Sequence, residues 1–516
     1  MPPDPGSPAG PALLVDFGST FTKLLLVDPQ AGAILARAYR PTTVGEGVEV
    51  GLRAGLADLA LDAGPGGAEL VRRASPRLAC SSAAGGLRMV AVGLVRELTA
   101  AAATAAALGA GARLLRTYSH RLTPDEVAGI GAARPDVLLL AGGTDGGDRQ
   151  TLLHNAAALA VLPQGAAGPL VVAGNKEVTG DAVATLRRAG HDARPAPNVL
   201  PSLGRLEVAP AQEAIRQVFL ERIVHRKGLD GALAHLDGIV LPTPAAVLNA
   251  AALLRESPAW PQGLLGEAWP QGLLEDGPHG DGDLVIVDVG GATTDVHSAG
   301  DGTPSRPEVY LQGLPEPRLK RTVEGDLGLR VSAPSTWEAI SGRWGPAGLP
   351  ASPPPPGTAG AGEGSLGSVG SADDVRARLE AYAAHPGLLS AEPGHLTLDA
   401  HLAAGAVALA LERHAGTLEE LVTPAGRFWV QRGKDLSGVA LVIGSGGIFR
   451  SSAAGPGAFR AGVRAGAADP LRLAPRAPFL ALDRDYVLWA AGLLAPTYPE
   501  GARRLIRRSL HGCRPS

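Results

Sequence analysis

Two short stretches of this 516-residue chain carry the residue types of phosphate chemistry. In LLVDFGSTFTKLLLVD (13–28) and LVIVDVGGATTDVHSAG (284–300), an apolar run ends on an aspartate, a glycine and small hydroxyl residues follow, and a second run returns. Glycine at such a bend lets backbone N–H groups approach an anion, and the hydroxyls add donors. Asp16 and Asp288 would repel a bare phosphate, but they become favourable once a Mg²⁺ lies between carboxylate and phosphate. Two turns of this kind would grip a nucleotide from two sides. A third stretch, GVALVIGSGGIFR (438–450), ends a buried-strand pattern on Gly444, Ser445, Gly446 and Gly447. Glycines there let a flat ring or a ribose approach the backbone.

The elements that must hold these turns are legible as short apolar runs bounded by glycine or aspartate: ALLVDFG, KLLLVD, DVLLLAGG, PLVVAGN, LVIVDVGG and VALVIGSGG. Each has the length of a buried strand. Helical patterns such as QTLLHNAAALAVL and AQEAIRQVFLERIVHRKG lie between them, and this alternation predicts an α/β architecture. The length predicts two lobes. The first runs over 1–250, with a βαβ-like insertion near 135–200, and the second over 282–480. A terminal helix at about 483–516 packs back on the first lobe. The near-copies AWPQGLLGE and AWPQGLLED form a loop at 251–281, and the glycine- and proline-rich stretch 345–372 reads as a disordered surface linker. That stretch contains GEGSLG, a GxGxxG match with no strand before it and no helix after it.

Composition excludes several classes. Net charge is −3 with scattered basic residues, which disfavours a nucleic-acid or anionic-membrane partner. Cys80 and Cys513 match no metal or redox spacing, and the first residues lack a signal-peptide pattern, so a cytoplasmic location is expected. A P-loop is absent. In AGGTDGGD (141–148) the reading is a strand-to-helix turn with Asp145 and Asp148 capping the next helix, with a phosphate or cation turn as the alternative. DVHSAG (295–300) fits a pattern by which some corrinoid enzymes ligate cobalt, but here His297 falls on a return strand.

The order and content of the three motifs resemble the actin-like ATPase superfamily, which includes sugar kinases and heat-shock chaperones. There the hairpins are the phosphate 1 and phosphate 2 motifs and the glycine turn is the adenosine motif. The resemblance implies ATP and Mg²⁺ as cofactors, with Asp16 and Asp288 holding the metal directly or through water. It places Gly18, Ser19, Thr20, Thr22, Gly290, Gly291, Thr293 and Thr294 along the phosphates and Lys23 at the β- or γ-phosphate. Gly444, Ser445, Gly446 and Gly447 would lie against the adenosine. Asp16, Asp288 and Asp295 are the expected catalytic acids, the last two ordering a water. The helix from Thr243 would close the cleft at the hinge. Glu324 is a further acid, read beside Asp326 chiefly as helix-start chemistry.

Longer stretches, among them SSAAGGLRMVAVGLVRELT, NVLPSLGRLEVAPAQEAIRQVFLERIV and RTVEGDLGLR, resemble the GlmL/MutL family, which is distinct from the mismatch-repair protein of similar name. That family implies an ATP-dependent chaperone or reactivating factor for an adenosylcobalamin-dependent mutase of the glutamate mutase type. The alternatives are a small-molecule kinase of the same superfamily and an ATP-switched filament or scaffold protein.

Overall fold

The computed structural model describes residues 10–18, 20–43, 47–82, 87–95, 102, 106, 112–203, 205–227, 234–237, 239–257, 283–306, 308–312, 316–345, 349, 369–388, 392–424 and 426–513. The Trp-bearing copies and most of the stretch 345–372 lie outside them. The chain forms two compact units, one of residues 1–84 with 228–516, the other of residues 85–227.

In the first unit, both apolar runs of the first motif become strands of one sheet. β1 (Ala12–Phe17) and β2 (Phe21–Asp28) pair antiparallel, and β3 (Ala33–Pro41) continues the meander. On the other side β4 (Arg77–Ser81) lies parallel to β1, and a later strand, β10 (Ile239–Pro242), lies parallel to β4. A second sheet repeats the plan. β11 (Leu284–Val289) and β12 (Thr294–Ala299) form its hairpin and β14 (Leu319–Glu324) extends the meander. β17 (Leu441–Ser445) and β18 (Phe479–Asp483) follow in parallel on the far side of β11, and β19 (Leu510–Gly512) closes the edge. Counted within each sheet, the first reads 3-2-1-4-5 and the second 3-2-1-4-5-6, with the meander first, the parallel strands after it and β19 as the second sheet's added antiparallel edge. This duplicated plan is the actin-like ATPase fold. A small separate sheet of β13 (Val309–Leu311), β15 (Thr417–Thr423) and β16 (Gly426–Arg432) was not legible in the sequence.

The strands at the centre are apolar throughout because both faces are covered. Along β11, Val285, Val287 and Val289 face a core shared with Leu402 and Val407 of the helix Pro393–His414. Leu284 and Ile286 face a second core, shared with Leu14 and Leu25 of the first sheet. That second core is filled by the helices Thr243–Arg255 and Leu488–Leu494, which link the two sheets. By length and composition Pro393–His414 could cross a membrane, yet 78% of its most apolar window is buried inside the protein.

The two linking helices touch backbone to backbone. A Cβ built on Gly492 would lie 1.7 Å from the carbonyl oxygen of Ala246. Gly492→Ala is therefore expected to lower unfolding stability by about 3 kcal/mol, the upper range for overpacking, read as a fall in the urea midpoint.

The second unit, Gly85–Lys227, is built on an all-parallel sheet in the order β6-β5-β7-β8-β9. Its strands are β5 (Leu87–Gly93), β6 (Ala112–Ser119), β7 (Val137–Leu140), β8 (Leu170–Val172) and β9 (Ala193–Pro195). The run read from sequence near 135–200 supplies β7, β8 and β9. Strands β5 and β6 come from further upstream, and β5 sits between β6 and β7.

Candidate nucleotide site

Strand pairing alone brings the first two candidate residues together. In the β1/β2 hairpin Asp16 stands opposite Lys23, and in the β11/β12 hairpin Asp288 stands opposite Asp295. Both turns close the same way, with Gly18 N–H donating to Phe21 O at 3.1 Å and Gly290 N–H to Thr293 O at 2.9 Å. The tips meet, since a Cβ built on Gly291 would touch Thr20 Cγ2 at 3.4 Å. Ser19 lies outside the described residues.

Asp16 is 1% exposed and fully engaged. Lys23 Nζ donates to its Oδ2 at 2.7 Å, Thr243 Oγ1 to its Oδ1 at 2.6 Å and Cys80 Sγ to the same oxygen at 3.6 Å. Thr243 opens the helix Thr243–Arg255, so that helix reaches the first hairpin through its first residue. Lys23 also donates to Tyr486 Oη at 3.2 Å and lies 4.2 Å from that ring's centroid. Burial penalises the Lys23 ammonium, but the Asp16 carboxylate, with Tyr486 and Asp288, holds it charged well above the usual lysine range. Burial, with Asp16 beside it, pushes the Cys80 thiol up and leaves it an inert neighbour.

Asp288 is the opposite case. Its Oδ1 is sealed from solvent and accepts no hydrogen bond. Burial pushes its carboxyl up to about 7; Lys23 opposes the rise, while the carboxylates of Asp295, Asp16 and Asp483 add to it. A buried carboxylate oxygen without a donor is one that a cation, a water or a proton would satisfy. Among the described residues no group of three or more His, Cys, Asp or Glu is arranged to hold a metal. Magnesium needs no such cage, since one or two carboxylates, waters and phosphate oxygens suffice for it.

Asp295 already has a cation. Its Oδ1 accepts from Arg321 Nε at 2.8 Å and Nη2 at 2.6 Å, and Thr293 Oγ1 donates to its Oδ2 at 3.4 Å. Several other expectations change in detail. The Thr22 hydroxyl pairs with Thr42 at 3.1 Å and the Thr294 hydroxyl donates to Leu327 O at 3.0 Å, so both brace their hairpins instead of facing phosphates. Gly444 is small because Leu482 and Phe459 pack on it, each within 2.8 Å of a built Cβ. A Cβ built on Gly446, at φ +127, would lie 2.3 Å from the carbonyl oxygen of Val289, while one built on Gly447 would meet open space. The Ser445 hydroxyl donates to Asp483 at 3.3 Å. Glu324 and Asp326 start no helix; Arg413 pairs with both, at 2.7 and 2.8 Å. His297 is buried with neither ring nitrogen bonded, and burial beside Arg321 holds it far below the usual imidazole range, hence neutral.

The sequence reading missed four contributors to this site. Tyr486 sits at φ 55, a strained conformation for a tyrosine, and covers Lys23. Asp483 orders the turn that holds Tyr486 by accepting Ser509 Oγ at 2.5 Å and the Val487 and Leu488 amides at 3.0 and 3.1 Å. Thr243 was placed only as a helix start. Arg330 N–H donates to Gly291 O at 2.8 Å, and the Arg330 guanidinium is held by Asp399 at 2.8 and 3.0 Å, which fixes the second turn from behind. A signal existed in DRDY, an acid pair at the end of an apolar run, and in RTVEGDLGLR.

Fold and site together define a nucleotide-binding protein of the ATPase type. The family profile described as MutL protein matches residues 12–510. The chain belongs to that family. It is 42% identical over 498 residues to Protein MutL of Clostridium tetanomorphum, covering 96% of this chain and 98% of that one. Among solved structures it is similar to the xylulose kinase from Bifidobacterium adolescentis, at 11% identity and TM-score 0.27 over 95% of this chain and 93% of that chain. A carbohydrate kinase from Novosphingobium aromaticivorans matches at 13% identity and TM-score 0.27, covering 95% and 92%.

Proposed function

We propose that this cytoplasmic protein binds Mg·ATP between its two hairpins, hydrolyses it, and works as a chaperone or reactivating factor for an adenosylcobalamin-dependent mutase of the glutamate mutase type. The observation that carries the nucleotide part is the unpartnered Asp288 Oδ1, set in the second of two equivalent glycine turns whose tips touch. A Mg²⁺ held by Asp288, with Asp16 acting through water, would supply charge neutralisation at the phosphates.

The chain's own groups do the rest. Lys23 stays charged and is poised beside both acids, so it can turn from Asp16 toward an anion. Asp295 keeps one oxygen on Thr293 and its charge offset by Arg321. The hairpins belong to different sheets, so any ligand touching both favours a closed cleft, and its loss relaxes it. Coupling that movement to a bound partner is the chaperone part of the reading, which the family resemblance supports.

The test follows the γ-phosphate of labelled Mg·ATP with purified protein, with and without a candidate mutase and a small-metabolite extract. Release as inorganic phosphate, several-fold faster with the mutase, is the expected result. Release indifferent to any such mutase would remove the chaperone reading, and label on a metabolite would make the protein a kinase.

A further inference from the structure

We propose that the parallel-sheet unit Gly85–Lys227 carries a second ligand site, for a neutral planar ring bearing an N–H or O–H donor, outside the carboxyl ends of β5 and β7. Two independent observations coincide there. With β5 as the first strand, the order β6-β5-β7-β8-β9 reads 2-1-3-4-5, and the switch point of such a sheet lies between its strands 1 and 3. At that point the structure has a cavity of about 130 Å³. Leu94 and Val95 line it after β5, Ala141, Gly142, Gly143, Thr144 and Asp148 after β7, and Val199, Leu200 and Leu203 from the segment beyond β9. An apolar cavity of about 150 Å³ in another protein takes up benzene.

The walls are fixed before any ligand arrives. Gly142 and Gly143 have φ of +143 and +71, and a Cβ on Gly143 would lie 2.3 Å from Asp148 O. Asn198 Nδ2 donates to Gly143 O at 3.0 Å and to Asp145 Oδ1 at 2.9 Å, while Asn175 Nδ2 donates to Gly147 O at 3.2 Å and Asp148 O at 3.3 Å. Both asparagines are buried. Asp145 also accepts from Lys176 N, so of the two expected capping acids only Asp148 caps the following helix, through Thr151 N at 3.0 Å.

The lining selects the chemistry. A phosphate does not suit it: among the described residues no lysine or arginine lines the cavity, Asp148 does, and the Asp145 and Gly147 amides are spent on Pro201 O and Thr144 O. What the lining offers is apolar walls, the Thr144 hydroxyl and a carboxylate whose Oδ2 is engaged by the cap, leaving Oδ1 as acceptor. At the mouth Leu203 is 82% and Val95 38% exposed, an apolar lip for a ring to slide under.

The test is an NMR titration of the full chain with indole, with benzofuran as the same shape lacking the N–H and benzoate as an anion of similar width. Indole is expected to bind saturably, benzofuran about tenfold more weakly for want of one charge-assisted hydrogen bond, and benzoate not at all. Leu203→Glu, at an exposed position, is expected to weaken indole at least about fivefold by placing a charge on the apolar lip. Asp148→Asn retains the helix cap and should erase the preference for indole over benzofuran. Absence of saturable indole binding by the unmodified protein, indole binding unchanged by Leu203→Glu, or equal binding of indole and benzofuran would each overturn the proposal.

Discussion

Replacing Asp288 by asparagine is expected to abolish most Mg·ATP hydrolysis while stabilising the nucleotide-free protein at pH 8. The first effect follows from removing a buried carboxylate oxygen that, alone among those of the described residues, lacks a donor. Loss of a single preorganised electrostatic contact at a reacting phosphate corresponds to a fall of about 10²–10³-fold in kcat. The second effect follows from the carboxyl's position at about 7 in the folded protein against 3.8 ordinarily. Below pH 4 both folded and unfolded chains hold the proton and nothing is lost. Between about 4 and 7 the unfolded chain releases it while the folded chain keeps it, so stability falls as pH rises through that window. Above 7 the whole cost is present, and asparagine does not incur it.

The full shift would be worth about 4 kcal/mol. Asp288 keeps partial contact with solvent, which brings the expected gain down to about 2 kcal/mol, or a few degrees in Tm. Thermal melts of both proteins across pH 4–9 check it: the curves should converge at the acid end and separate toward neutrality. A variant less stable than its parent at pH 8, or one that still hydrolyses ATP at the parental rate, contradicts the assignment.

Lys23→Met should cost more stability than any other change at this site. Asp16 is 1% exposed, and methionine leaves its Oδ2 with a buried negative charge facing hydrocarbon, since Thr243 and Cys80 serve only Oδ1. Removing one partner of a buried pair in this way costs about 3–5 kcal/mol. The loss comes from the stranded charge more than from the missing bond, so adding Asp16→Asn should recover most of it. The coupling between the two changes is expected at about 2–3 kcal/mol. Nucleotide affinity, in contrast, should stay lost in the double variant, because neither the cation nor the acid is restored. Urea midpoints and fluorescent-nucleotide titrations of the two single variants and the double variant separate these outcomes. A double variant as unstable as Lys23→Met alone would mean that Lys23 acts through Tyr486 and not through Asp16.

The chemistry of the first hairpin was legible in the chain because a strand, a tight turn and a return strand are local. Once DFGST is read as the bend, the pleat places Asp16 opposite Lys23. The six glycine- or aspartate-bounded apolar runs became strands for the same reason: continuous burial needs continuous hydrophobicity wherever it occurs. Strands β5 and β6 were missed because Arg88, Arg113 and Arg116 interrupt their runs, so the second unit was read too short. Its sheet order, and with it the switch-point cavity, depends on β5 entering between β6 and β7, a pairing that no local pattern records.

The amino-acid order by itself determined the two acidic glycine turns, their registers and the strands that carry them. Only the tertiary structure decided the state of each acid. Asp16 met Lys23 from its own hairpin but Thr243 and Cys80 from other elements, Asp295 met Arg321 from β14, and Asp288 met no donor for its Oδ1. The physical reason is that backbone pairing and side-chain alternation act over a few residues, whereas desolvation and charge pairing depend on everything that packs around a group.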